Sequence, residues 1–349
     1  MPSRNFPVTL QQVADAAGVS RAAASMALKN HPRIGAETKK RVHETVARLG
    51  YRPDPRMTAL AAYRVGKGKA HYRESLLFLQ LVPEERHGID SPLYEGFRAR
   101  AEALGYTVER VVCEPGEKDL RLVARNTHAK GIRGIVLYAG AMEAEVLPFP
   151  WENFFVVQVA SHPTSRFLPS LTSENYRSTV LAVENIAGLG YRHPGLWHEY
   201  GAAQSNEQYS VGGFRQGCLL KFGDDSFPVF RETKTGLNAS DVLRWAENAG
   251  LDCIIHSGTG AVVAELGRLL PDFPQRYGFA ALDVPQGNPL KVSGILKPRR
   301  ILGSYSVDHL HSLLVINQRP DENHLPPSIH FVGEWQAGTT LAKRDKPTG

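Results

Sequence analysis

A chain of 349 residues, 42% hydrophobic and 22% charged, has room for two or three domains with real cores, and these proportions exclude a wholly disordered or collagen-like polymer. Its three cysteines, Cys113, Cys218 and Cys253, share neither CxxC nor metal-ligand spacing, which excludes a disulfide scaffold and fits a reducing compartment. The formal charge of +6 is unevenly placed: residues 1–73 hold 14 Lys/Arg against four Asp/Glu, a net of +10, while the remainder nets −4. A basic head on a mildly acidic body points to a polyanion partner for the head alone. Residues 1–9 hold no apolar stretch of signal-peptide type, and no run approaches 18 apolar residues. The expectation is a cytoplasmic protein without a membrane span.

Helical periodicity starts at Leu10, where Leu10, Val13, Ala14 and Ala17 form one apolar stripe behind an N-cap at Thr9. Gly18 can take the positive φ needed to stop that helix, and Val19 is placed to bury in the turn. Ser20 can cap a second helix from Arg21 to about Leu28, and Val42, Val46 and Leu49 mark a third that ends at Gly50. Three short helices with a tight glycine turn between the first two make the helix-turn-helix plan. The second helix carries small residues, Ala22, Ala23, Ala24 and Ala27, which allow close approach to a groove floor. Arg21, Ser25 and Met26 on it can reach base edges or phosphates. Further on, Asp54-Pro55 is a helix start, and Met57, Leu60 and Ala61 give a short apolar face through Ala62.

The run Thr9-Leu10-Gln11-Gln12-Val13-Ala14-Asp15-Ala16-Ala17-Gly18-Val19-Ser20 resembles the opening of the LacI-type (lactose-repressor-like) transcription regulators. Thr38 to Val42, the Leu49-Gly50-Tyr51-Arg52-Pro53 stretch and the segment after it keep that family's spacing, so the resemblance covers about the first 62 residues. It implies a homodimer, or a dimer of dimers, on a pseudo-palindromic double-stranded DNA operator. In that picture the Arg21–Leu28 helix enters the major groove, with Arg21, Ala22 and Met26 facing bases and Ala23 close to the groove floor. Thr9, Ser20, Ser25, Asn30, Thr38 and Tyr51 grip phosphates, and Arg56 is a further DNA contact. The Asp54 to Ala62 segment corresponds to the family's hinge helix, in which Leu60 wedges into the minor groove. Three departures stand out: Met26 replaces a common Arg, Lys29 a common Asn, and Gly35 a frequent capping Ser.

After a Gly/Lys linker, β and α patterns alternate. Strands are expected at Leu76–Val82, Thr107–Cys113, Ile135–Tyr138, Phe154–Val159, Gly195–Trp197, Cys253–Ile255, Phe279–Leu282 and near Ile329–Val332. Helices are expected around Tyr94–Leu104, Leu120–Thr127, Tyr176–Gly188, Val211–Phe222, Val242–Ala249, Ala261–Leu270 and Ser306–Asn317. That rhythm calls for parallel sheets with helices on both faces, an α/β body behind an all-α head. The body is similar to the family's effector domain, which implies a type I periplasmic-binding-protein-like fold of two subdomains joined by three crossings, here near Thr172, Lys297 and Pro326. The resulting division is 1–53 DNA-binding domain, 54–63 hinge helix, 64–73 linker, 74–171 with 298–326 the first subdomain, 172–297 with 327–342 the second, and 343–349 a flexible tail.

Ligands of doubly wound folds bind at the carboxyl ends of strands. Asp90, Tyr138, Ser161, Trp197, Tyr209, Ser257, Thr259 and Asp283 are therefore the candidate effector contacts. Asp283 leads them, because the resemblance puts an acid after that strand against effector hydroxyls. Ser210 stands where many sugar-binding relatives have Arg, and Ser257-Gly258 where Asn-Asp is frequent, which removes charge from the cleft.

His256-Ser257-Gly258-Thr259-Gly260 has neither GxSxG spacing nor a Walker lysine, and the 13 histidines include no HExxH motif. No catalytic residues, metal or cofactor are expected. The expected function is a sequence-specific DNA-binding regulator, a repressor modulated by a small polar metabolite. Two alternatives are a small-molecule binding protein without gene control and an enzyme on a doubly wound fold.

Overall fold

The computed structural model describes residues 9–28, 31, 33–49, 74–81, 91–114, 116–139, 147–160, 165–198, 204–232, 239–270, 272–319 and 325–344. The expected hinge helix and linker, together with Asn30, Tyr51, Arg56, Leu60, Asp90 and Ser161, lie outside the described residues. The chain divides into two compact units, a helical head and an α/β body.

Among the described residues, three helices build the head: α1 (Leu10–Ala16), α2 (Arg21–Leu28) and α3 (Ala36–Leu49). A capping box opens α1, in which the Gln12 N–H donates to Thr9 Oγ1 at 3.3 Å and the Thr9 N–H donates to Gln12 Oε1 at 2.8 Å. Gly18 adopts φ +64°, a conformation that a β-carbon disfavours, and turns the chain toward α2. Val13, Ala14, Ala17, Ala24, Ala27 and Val42 bury together, with Leu10, Val19, Leu28, Ile34, Val46 and Leu49 packed around them. Alanines at the α1–α2 contact let the two backbones close tightly, so a small core is filled without long side chains.

Among the described residues the body contains two six-stranded sheets. The first sheet runs β11-β5-β4-β3-β1-β2, from strands β1 (Ser75–Leu81), β2 (Thr107–Cys113), β3 (Gly134–Tyr138), β4 (Phe155–Ala160), β5 (Ser170–Glu174) and β11 (Ser328–Val332). All its pairings are parallel, as buried Val/Leu/Phe strands covered on both faces require. Helix α5 (Glu117–Ala129) covers one face, where Leu77, Leu79, Leu120, Leu137 and Val156 share a core. On the other face Phe78 meets Tyr94 and Phe97 of α4 (Ser91–Ala103). Helix α11 (Arg299–Ile316) crosses α4 at closest approach: a Cβ on Gly303 would sit 2.0 Å from the Leu93 carbonyl oxygen, and one on Gly96 2.0 Å from that of Arg300. Only glycine fits at such a crossing.

The second sheet runs β12-β10-β9-β8-β6-β7, from β6 (Pro194–His198), β7 (Val229–Arg231), β8 (Cys253–Thr259), β9 (Gly278–Val284), β10 (Ser293–Leu296) and β12 (Glu334–Gln336). Helices α6 (Asn175–Gly188) and α7 (Gln204–Phe222) cover one face around Val183, Ile186, Phe214 and Ile255. Helices α8 (Ala239–Asn248), α9 (Val263–Leu269) and α10 (Phe273–Arg276) cover the other, around Trp197, Ile254, Phe273 and Phe279. Among the described residues of this sheet only β12 is antiparallel, paired to β10.

The chain passes between the sheets after β5, after β10 and at Gly333. Each passage leaves the carboxyl end of a parallel strand, so the carboxyl edges of both sheets border the crossings. In doubly wound sheets, ligands bind beyond such carboxyl ends. Two boundaries drawn from the sequence need correction. Residues 328–332, placed above in the second subdomain, pair with β5 in register Ser328↔Ser170 to Val332↔Glu174, so they belong to the first sheet. Expected tail residue Arg344 is docked: its N–H donates to the Leu189 carbonyl at 2.8 Å, and its guanidinium lies 4.5 Å from the Tyr191 ring centroid. Among the described residues no helix is long and apolar enough to cross a membrane.

Candidate functional site: a helix-turn-helix face and a cleft edge

In the head, α2 turns Ala24 and Ala27 inward, which fixes the opposite face outward. Arg21 and Ala22 are exposed, while Ala23, Ser25 and Met26 are half-buried along the rim. Ser20 Oγ accepts the Ala23 N–H at 3.1 Å, which seats the start of α2 and leaves the Ser20 hydroxyl hydrogen to donate outward. Thr9 is exposed at the start of α1 and Thr38 half-buried in the first turn of α3. Arg21, Arg33, Lys40, Arg41 and Arg48 are all exposed. The sequence-derived contacts within the described part of the head are thus at or near its surface, and Thr9, Ser20, Arg21 and Thr38 stand at helix starts, where unsatisfied N–H groups favour an anion.

At the cleft edge of the second sheet, β8 ends in an irregular stretch after His256, and Thr259 then pairs with Asp283 of β9. Ser257 is half-buried and Thr259 exposed. Asp283 is already engaged. Arg299 Nη1 and Nη2 donate to its two carboxylate oxygens at 2.8 and 2.7 Å, and Lys297 Nζ lies 3.6 Å from Oδ2. Burial alone would raise the Asp283 pKa; the charge of Lys297 and the hydrogen bonds and charge of Arg299 outweigh it and hold the carboxyl below its ordinary value. The expected lead hydroxyl acceptor therefore ties β9 to the second crossing and to the first turn of α11, through two cations invisible in the strand's own sequence.

Trp197 also needs correction. It is 1% exposed, within the core shared with α8 and α9, because β6 is covered on both faces. Its Nε1–H donates to Glu232 Oε1 at 2.5 Å, and its ring centroid lies 4.2 Å from that of His256. His256 is a core histidine: burial lowers its pKa to about 4, against the opposing hydrogen bond of Nδ1 with the Thr259 carbonyl oxygen at 3.1 Å. Tyr138 ends β3 half-buried, and Tyr209 is exposed on α7. Sequence reading passed over His198, Glu232, Lys297 and Arg299, although each flanks a strand end. Among the described residues no group of three or more His, Cys, Asp or Glu is placed to hold a metal ion.

Residues 9–54 match the profile of the bacterial regulatory proteins of the lacI family. Over those residues the head is similar to that family. Among curated relatives, the HTH-type transcriptional regulator AglR of Rhizobium meliloti (strain 1021) is 39% identical over 91 residues, 26% of this chain and 22% of that protein. Catabolite control protein A of Priestia megaterium is 26% identical over 188 residues, 53% of each chain. These matches span about a fifth and about half of the relatives' length. Among solved structures, the lac repressor dimer bound to operator and the anti-inducer ONPF superposes with a TM-score of 0.59 at 18% identity, covering 97% of this chain and 100% of that one. The CelR–cellobiose complex gives 0.59 at 13% identity, covering 95% and 99%. The body therefore has the lac-repressor-like, periplasmic-binding-protein-like fold that the sequence led us to expect.

Proposed function

We propose that this lacI-family protein is a sequence-specific, double-stranded-DNA-binding transcription regulator, acting as a homodimer or a dimer of dimers, whose DNA affinity responds to a small molecule in the body cleft. One observation carries the reading most: the outward face of α2, with Arg21 and Ala22 exposed and Ser25 and Met26 at its rim, on a head whose residues 9–54 match the lacI profile. That face suits a major groove. Arg21 would read a base edge bidentately, and the methyl groups of Ala22 and Met26 would meet apolar base surface. Thr9, Ser20, Ser25 and Thr38 would hold phosphates and set the register. The lac repressor structure holds a dimer on operator with an anti-inducer, and the CelR structure holds cellobiose. By analogy of fold this chain would couple ligand and DNA through closure of its two sheet layers, reciprocally.

The small-molecule-only and enzymatic alternatives leave the exposed basic residues of the head without a purpose. A DNA partner places the protein in the cytoplasm. Selection of bound duplexes from a fully randomised pool tests the proposal. It predicts an enriched inverted repeat with half-sites about one helical turn apart. Enrichment of no motif at moderate ionic strength would overturn it.

A further inference from the structure

A depression of about 380 Å³ opens at the amino edge of the second sheet. Its walls come from the end of α6 (Glu184, Asn185), the first residue of β10 (Ser293), Trp335 of β12 and Leu341 beyond it. Because β10 runs parallel to β9, Ser293 lies at the opposite end of the strands from Thr259 and Asp283. The depression is therefore separate from the candidate effector contacts. Ligand pockets run about 300–1,000 Å³, so it has room for a small metabolite.

The polar groups around this space are mostly acceptors. Asn185 Nδ2 donates to the Leu181 carbonyl at 2.8 Å, which leaves its Oδ1 to accept. Glu184 adds a carboxylate, paired with Lys221 at 3.1 Å while the two side chains are 40% and 37% exposed. A pair that open to water is weak and readily exchanged. Helix α6 ends here after 14 residues with no basic residue in its last turn, so nothing within the helix offsets the negative end of its dipole. Ser293, 1% exposed, accepts the Gly338 N–H at 3.0 Å and keeps a hydroxyl hydrogen to donate. Trp335 packs on the α6 side of the sheet, half-buried, and gives the space an aromatic wall.

An anionic ligand would meet the Glu184 carboxylate and the negative helix end. A neutral apolar ligand would leave the Asn185 oxygen and the Ser293 hydroxyl unmet. An ammonium or guanidinium group donates to Asn185 Oδ1 and Glu184, gains from the helix end, and can lie against the Trp335 ring, whose π face attracts cations.

We propose that this depression binds a small organic cation, an amine or a guanidine, through Glu184, Asn185 and Trp335. The site involves neither the head nor the carboxyl strand ends, so it stands apart from the regulator reading.

The test titrates the full-length chain at low ionic strength with butylamine and butylguanidine, beside 1-butanol and butyrate as neutral and anionic counterparts. Calorimetry and tryptophan fluorescence report binding. At least one cation is expected to bind saturably, more tightly than both counterparts, and to change the emission. Glu184→Gln should weaken it about two- to fivefold, the range of a half-exposed charge. Trp335→Leu should weaken it by a similar factor and Trp335→Phe by less, since a phenyl ring keeps a π face; both should abolish the emission change. Lys221→Met removes the cation that competes for Glu184 and should tighten binding, a change that damage to the fold cannot produce. Cation binding that Glu184→Gln and Trp335→Leu leave unchanged would place the ligand elsewhere and overturn the proposal. Preference for butyrate or 1-butanol, or no saturable response to either cation, would overturn it equally.

Discussion

Asp283→Asn removes the one negative charge shared by Arg299 and Lys297, and its effect can be sized from the structure. The carboxylate takes two hydrogen bonds from Arg299 at 2.8 and 2.7 Å, and the side chains of Asp283, Lys297 and Arg299 are 12%, 13% and 27% exposed. Breaking an enclosed ion pair from one side costs about 3–5 kcal/mol, because the abandoned charge stays desolvated. Partial hydration of Arg299 returns some of that, so the expected loss is about 2–4 kcal/mol, well above the ~1 kcal/mol ceiling of a surface pair. Urea unfolding followed by tryptophan fluorescence measures it cleanly, since Trp151, Trp197, Trp245 and Trp335 all lie in the body. Adding Lys297→Met to Asp283→Asn should restore part of the loss by removing a stranded cation. The pH dependence has a definite sign. Asp283 has a lowered folded pKa, so its contribution is complete above the ordinary carboxylate value of 3.8 and disappears as pH falls through the lower folded value. The wild type should therefore keep its advantage over the variant from pH 7 down to about 4. A loss under about 1 kcal/mol, with no recovery in the double variant, would show a solvated carboxylate free to meet ligand and refute the tether.

Three further outcomes follow from the same geometry. His256, held down to about 4 by burial against an unfolded value of 6.5, makes body stability fall by roughly 3 kcal/mol as pH drops from 6.5 toward 4; urea midpoints at pH 7.5 and 4.5 should differ less in His256→Phe, and an unchanged difference would contradict this. Gly303→Ala forces a methyl to within 2.0 Å of the Leu93 carbonyl oxygen and should lower body stability by about 2 kcal/mol or more, read by the same unfolding assay, whereas a neutral result would mean that α4 and α11 separate freely. Arg21→Ala should relax base preference at one position of each half-site by about 1–3 kcal/mol while leaving the other positions unchanged, as measured by selection on the variant.

Apolar periodicity made the head legible in detail: Thr9, Gly18 and Ser20 punctuate α1 and α2 where the structure has them. In the body the buried strands were legible because a strand covered on both faces is a continuous apolar run, as in Ser75–Leu81 and Phe155–Ala160. Polar or short elements were not. Strand β5 reads Ser-Leu-Thr-Ser-Glu and β12 has three residues, so neither shows a period, yet both flank crossings. Helix α7 begins at Gln204, before the expected Val211, because its polar first turns carry no apolar stripe, and α11 begins at Arg299, before the expected Ser306. Strand ends located the candidate residues but not the state of their side chains. Nothing in the 278–284 stretch shows that Arg299 and Lys297 will occupy Asp283, and nothing local separates buried Trp197 from a lining residue. Long-range pairing and burial depend on which elements become neighbours, and local pattern does not encode that.

Groove reading by the head is tested by fluorescence anisotropy of the full-length protein at about 150 mM salt, titrated against the selected inverted repeat and against a scrambled duplex of equal length. A groove-reading head predicts that the inverted repeat binds at least about 10³-fold more tightly, with log affinity falling by about 0.9 per phosphate contact for each log unit of salt. Equal affinity for the two duplexes, or affinity indifferent to salt, would contradict it.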